Sequence, residues 1–304
     1  MSVKALGYVV IETANRAEWE RFLTRVAGAQ KVDSPRADVD LYGVDGRPFR
    51  FWVQDGPAEL LKASAFETPS AEAWQAMADG IAAAGRPVEM GSTEEAAQRS
   101  VTAFFRTTDP TGNGLEFYYG DQSHDAAFVS PAGVNGFVTG EMGMGHAVVA
   151  AEDFGPTHAF YRDVVGLGDT DLPSFFLMGP EGPEMHFAFM HGTAGRHHSL
   201  AIAEMPVPPS RCVHIMLEMT SLDDVGKAYD RMRAEGFAQS ASIGKHVNDE
   251  MIGFYVQTPG GFDLEIGYDG LVIDPKTWET TRHEAISQWG HVWAWQEAMA
   301  KAAQ

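Results

Sequence analysis

A short apolar run at residues 5–12 (ALGYVVIE) reads as a strand, and Asn15 after it is a candidate helix N-cap. In 16–27 (RAEWERFLTRVA) the residues Trp19, Phe22, Leu23 and Val26 fall on one helical face. The same pattern returns at 143–151 (GMGHAVVAA) and 155–166 (GPTHAFYRDVVG), where Phe160, Val164 and Val165 are the apolar positions. A second pair matches 63–85 to 214–236. Both read strand, Ser cap, helix and terminal Gly, with Ser70 and Gly85 spaced as Ser221 and Gly236 are. A third pair matches 101–120 to 251–268, each a strand, a turn containing Pro and Gly, and a second strand, with Glu116 and Glu265 near the ends.

The repeats predict an α+β fold of four βαβββ modules, two per domain, each domain a curled mixed sheet enclosing a cavity. Residues 1–135 form the first domain and 136–304 the second, with the junction in 121–140, a stretch containing Gly, Ser and Asp. Residues 283–303 predict a C-terminal helix whose Trp289, Trp293 and Trp295 pack against the body or a neighbouring subunit.

Length and composition fit this picture. The chain has 304 residues, 44% of them apolar and 21% charged, enough for two ordinary cores. A formal charge of -20 repels phosphate backbones and anionic lipid, which argues against nucleic acid and membrane surfaces as partners. Cys212 is the one cysteine, so an intrachain disulfide and a thiolate metal cluster are both excluded, as expected in the cytoplasm. It should pack as a small hydrophobe. Neither a cleavable signal pattern nor a long apolar run is expected to take the chain into a membrane.

The repeat also locates candidate chemistry. His146 sits in the first strand of the third module, His214 in the first strand of the fourth and Glu265 in the last strand of the fourth. Two imidazoles and one carboxylate on one face of an iron ion leave the other face open. Their long separations exclude zinc-finger and HExxH arrangements. The first half carries Tyr8, Ala63 and Glu116 at the matching places and should bind no metal.

Residues 244–265 (GKHVNDEMIGFYVQTPGGFDLE) resemble the signature of the type I extradiol ring-cleavage dioxygenases of the vicinal oxygen chelate superfamily, through Gly244, His246, Phe254, Tyr255, Thr258, Pro259, Gly261 and Glu265. The blocks 196–202 (RHHSLAI) and 213–218 (VHIMLE) resemble its two-domain dihydroxybiphenyl branch. The resemblance implies Fe(II) on His146, His214 and Glu265, with Mn(II) as the metal of a few relatives. It implies a catechol, with O₂, as the substrate and a homo-oligomer as the assembly. It places His198 facing O₂ as proton donor, with register leaving His197 as the alternative. His246 and Tyr255 would bond the substrate oxygens, and Asp249 would orient one of them. Val148, Phe187, Phe189 and Asn248 are candidates for the substrate pocket, Phe175 and Phe176 weaker ones, and their aromatic content favours a bulky catechol. His186 and His191 are expected at the surface or in loops, as is His197. A glyoxalase-like metal enzyme and a metal-free small-molecule binder on the same architecture are the competing readings.

Overall fold

A computed structural model describes residues 3–122, 127–177 and 181–296. Each half builds one open mixed sheet. In the first the strand order is Gln30–Val32, Val39–Gly43, Phe51–Asp55, Leu6–Thr13, Leu60–Glu67, Gly114–Tyr119, Ala103–Thr108, Glu89–Met90. In the second it is Gly168–Asp171, Met185–His191, Leu200–Ala203, His146–Ala150, Cys212–Met219, Asp263–Tyr268, Ile252–Gln257, Gln239–His246, Ser287–Trp289, with Ser174–Phe175 beside Met185–His191. Position for position the two orders agree, and the second sheet continues by one strand. The four modules expected from the repeats are therefore present, each with its helix between its first and second strands.

The helix punctuation follows the sequence. Asn15, Ser70 and Ser221 each accept a hydrogen bond from the backbone three residues on, and Gly85 and Gly236 take the left-handed conformation just past their helices. The first helix of each half, Arg16–Arg21 and Phe154–Ala159, widens into a π-helical stretch, Phe22–Ala27 and Phe160–Val165. The C-terminal helix expected over 283–303 is corrected in its first part, while residues 294–296 are helical. Ser287–Trp289 is a strand, because its backbone pairs with Lys245 and His246 at the free edge of the second sheet. Trp293 makes a bridge to Ala241, and residues 297–304 lie outside the described residues.

The halves share one apolar core, in which Trp19 and Phe22 meet Phe262 and Phe237. Backbone bonds cross between them: the Met144 amide donates to the Leu6 carbonyl (2.8 Å) and the Leu61 amide to the Ser210 carbonyl (2.9 Å). One face of the first sheet is covered by a separate apolar cluster around Tyr8, Phe49, Trp52, Phe104 and Tyr118. In the second half that face carries the polar site.

Candidate metal centre

Sheet register brings the ligand candidates together. His146 pairs with Met216 and Val148 with His214 across antiparallel strands, while Met216 lies beside Glu265 in a parallel pair and Glu265 opposite Tyr255. Alternation along each strand sends these side chains to one face. Gly145 permits the approach: it has φ +147, and a Cβ there would lie 1.9 Å from the Met216 carbonyl oxygen.

His146 Nε2 and His214 Nε2 are 3.1 Å apart, and each lies 3.4 Å from Glu265 Oε2. Donors on one face of an ion with bonds of about 2.1 Å are separated by about 3 Å, so these three fit a facial divalent site. His146 and Glu265 are buried, and two lone pairs facing each other at this distance require a cation or a proton between them. Burial holds His146 down to about 4, ready to ligate as a neutral imidazole. Burial opposes the charge on Glu265, yet His146, His214 and His246 outweigh it and hold the carboxyl well below its usual range.

The first half shows the alternative. Tyr8 pairs with Ala65, Val10 with Ala63, and Ala65 lies beside Glu116, the same register as His146, His214 and Glu265. There Arg99 donates twice to Glu116 (2.7 and 2.7 Å) and Tyr8 donates its hydroxyl (2.6 Å). A guanidinium, with aromatic packing around it, fills the place that the second half leaves open.

Residues 143–266 match the Glyoxalase/Bleomycin resistance protein/Dioxygenase superfamily, and residues 6–56 match the first domain of dihydroxybiphenyl dioxygenase BphC. The chain is 38% identical to biphenyl-2,3-diol 1,2-dioxygenase of Paraburkholderia xenovorans over 96% of both chains. It is 36% identical to an iron-dependent extradiol dioxygenase of Rhodococcus jostii over 96% of this chain and 97% of that one. The chain belongs to the extradiol dioxygenases. The crystal structure of BphC, a halotolerant catechol dioxygenase, superposes with a TM-score of 0.88 at 31% identity, over 97% of this chain and 96% of that one. A Mn(II)-bound glyoxalase from Novosphingobium aromaticivorans, 20% identical with a TM-score of 0.79, shares the fold.

In this extradiol dioxygenase the other candidates surround the triad. His198 is buried and stacks on His146, ring centroids 3.9 Å apart, with the edge of Phe189 against it at 5.0 Å. Burial first, then His146 and His197, keep His198 well below its ordinary value, so it is neutral. His246 Nε2 lies 2.7 Å from the Tyr255 hydroxyl and 3.4 Å from Glu265 Oε1. Burial disfavours charge on His246, but Glu265 and Asp249 prevail and lift it to about 9. Tyr255 is pushed well above its usual value by burial and by Glu265.

Asp249 is buried and close to His197 and His198, their ligating atoms within 4.8 Å of one another. Its side chain accepts from the Met251 amide (3.2 Å) rather than from His246 or Tyr255. Phe175, Phe187 and Phe189 form an aromatic row leading to His198, with centroids 5.6 and 6.4 Å apart. Val148 is buried on the same strand face as His146, Asn248 is half-buried in the loop after His246, and Phe176 is exposed. Cys212 is buried, its thiol near the Val148 carbonyl and pushed up by burial.

Several groups were not legible in the motif. His197 and His191 are buried, not superficial, while His186 is exposed as expected. His291 packs on His246 (4.2 Å) and Trp293 on Tyr255 (4.8 Å), both from the segment expected to be helical. The Ile286 carbonyl lies 3.1 Å from His246 Nδ1 and leaves Nε2 for the site. A Cβ on Gly244 would strike the His291 backbone nitrogen at 2.4 Å, and this glycine was the one signal of that packing.

Proposed function

We propose that the protein is an Fe(II)-dependent extradiol dioxygenase that opens the ring of a bulky catechol, a two-ring diol such as 2,3-dihydroxybiphenyl, placing both atoms of O₂ in a muconic semialdehyde-type product. The convergence of His146, His214 and Glu265 within 3.4 Å carries the reading. When bound, the iron supplies a Lewis acid that acidifies a catechol hydroxyl and a redox centre that brings substrate and O₂ together.

The chain's own residues do the rest. His146, His214 and Glu265 hold the ion from one side and leave the other side to the reactants. Neutral His198 takes a proton from a substrate hydroxyl and returns it to a developing oxyanion, a task suited to an imidazole. The His246–Tyr255 pair, fixed from outside by Ile286, offers hydrogen bonds to the substrate oxygens. Asp249 adds negative charge beside His198 and stabilises its protonated form. Phe187, Phe189 and Val148 supply apolar walls for a second ring and exclude water, with Asn248 at the far edge.

Oxygen uptake by the iron-loaded protein with 2,3-dihydroxybiphenyl, accompanied by a yellow product, tests the assignment. Activity with Zn²⁺ or Ni²⁺ in place of iron, and none with any catechol, would instead favour a glyoxalase-like enzyme. Among the described residues no helix is long and apolar enough to cross a membrane. The acidic charge and single buried cysteine support a cytoplasmic protein. Trp289 and Trp295, 49% and 37% exposed on the C-terminal segment, support a homo-oligomer.

A further inference from the structure

The C-terminal extension crosses the strand Gln239–His246 at a point built of glycine. A Cβ on Gly244 would lie 2.5 Å from His291 Cγ, and one on Gly290 would lie 2.3 Å from the Ile243 carbonyl oxygen. Gly290 (φ +73) and His291 (φ +49) both take the left-handed conformation, which a residue with a side chain keeps only where its surroundings hold it. His291 is buried and anchored at both nitrogens. Its Nδ1 lies 2.7 Å from the Ser287 hydroxyl, and its Nε2 donates to the Gly253 carbonyl (3.3 Å) on the strand that carries Tyr255. Trp293, two residues on, bridges to Ala241, and its ring lies 6.4 Å from that of His291.

Aiming an imidazole takes two constraints, one on its direction and one on its plane. The Ile286 carbonyl, 3.1 Å from Nδ1, sets the direction of the His246 ring. The His291 ring, packed on it at 4.2 Å and 34°, sets the plane. Tyr255 likewise touches two rings, Trp293 at 4.8 Å and 40° and His214 at 5.2 Å and 80°. The first half has neither the pair nor its support. There Arg106 holds the register position of Tyr255, opposite Glu116, and the sheet ends without the added strand.

We propose that His291 and Trp293 are positioning residues for ring cleavage, an aromatic shelf that sets the ring planes of His246 and Tyr255 and so aims their polar atoms at the substrate oxygens. The proposal rests on the reading of that pair as the groups that bond the catechol. Hydrogen bonds weaken steeply away from linearity. A ring free to rock therefore loses the alignment that the reacting geometry needs, while the substrate still binds through its other contacts. Neither shelf residue belongs to the His146, His214 and Glu265 set, so the ion is held without them.

The test sets shape against polarity at position 291. His291→Ala removes the ring, His291→Phe keeps a flat ring without the two polar bonds, and His291→Asn keeps a polar group without a ring. With the iron-loaded enzyme and 2,3-dihydroxybiphenyl, the Ala and Asn variants should retain iron and lose kcat roughly 10–100-fold, with KM changed by less than about threefold. His291→Phe should bring kcat back to within about threefold of the unaltered enzyme, and Trp293→Leu should lose it as His291→Ala does. In the iron-free protein carrying ¹³C-labelled histidine, the His246 ring, identified through His246→Gln, should give one sharp signal. That signal should broaden in His291→Ala and stay sharp in His291→Phe. A folded, loaded His291→Ala enzyme with the original kcat overturns the proposal. So does a Phe variant no faster than the Asn variant, because an anchor that merely holds the strand would follow the polar bonds. Should His291→Ala fail to fold, the Phe and Asn pair still decides, and Trp293→Leu at the original rate removes Tyr255 from the shelf. If instead the unaltered enzyme cleaves no catechol, the functional reading fails while the His246 signal still reports on the shelf.

Discussion

Arg99 grips Glu116 through two hydrogen bonds of 2.7 Å, and Glu116 is the sheet-register counterpart of Glu265 in the other half. One carboxylate position, duplicated with the fold, is thus neutralised by a side chain in one half and kept for an ion in the other. The guanidinium also packs on Trp52 and Phe104, centroids at 4.8 and 4.2 Å. Removing it leaves the buried Glu116 with the Tyr8 hydroxyl and a longer contact to Arg106 (3.3 Å), a loss of pairing that costs up to about 3–5 kcal/mol. Arg99→Met should therefore lower the unfolding midpoint strongly while leaving iron content unchanged. Arg99→Met with Glu116→Leu should recover most of the stability, measured by thermal or denaturant unfolding.

Removal of a ligand should act on metal content before it acts on chemistry. His146→Ala and Glu265→Ala are expected to purify with little iron and no turnover, measured by elemental analysis alongside oxygen uptake. His198→Ala should hold iron normally and lose most of its kcat, because its ring lies against a ligand without being one.

Acid should destabilise the iron-free protein in a defined window. Burial holds His146 and His291 down to about 4, whereas unfolded histidines titrate at about 6.5. The unfolded chain therefore takes up protons first. Stability from these two groups is full above about pH 6.5 and falls as the pH drops toward 4. His246 has the opposite sign: its raised value adds stability that is complete below about pH 6.5 and disappears as the pH rises through about 9. Urea midpoints measured across this range should show a maximum between the two limbs, and His291→Asn should flatten the acid limb.

The aromatic row should set ring-size preference. Phe187→Ala and Phe189→Ala are expected to weaken kcat/KM for a two-ring catechol by about 1–3 kcal/mol relative to catechol itself. Equal losses for both substrates would remove the row from the pocket. Phe189 carries the added risk of loosening His198, which its edge touches, so Phe187→Ala gives the cleaner comparison.

What the sequence disclosed was what repeats or what lies in one continuous motif. Module order, helix caps and the matched positions Tyr8/His146, Ala63/His214 and Glu116/Glu265 follow from internal duplication. The His246–Tyr255 pair follows from a short segment with fixed strand pairing. His283, His291 and Trp293 come from the extension past the last shared strand, which has no counterpart in the first half, so self-comparison could not reveal them. The Trp-rich tail suggested a helix because its aromatic spacing suits one. The free edge beside His246 and Lys245 gained more from two added backbone pairings than a helix would have gained there. His197 passed for a loop residue because nothing near it in the chain identifies Asp171 as its neighbour.

The strand Ser287–Trp289 follows all three ligand residues in the chain, and it seals the edge on which His246 lies. All three ligands are synthesised before it. A nascent or prematurely terminated chain can therefore gather its histidines and glutamate around an ion while His246 and Tyr255 lack their backing. Synthesis itself thus separates acquisition of the metal from competence to use it, and a chain cut short ahead of residue 286 would sequester iron without turning over.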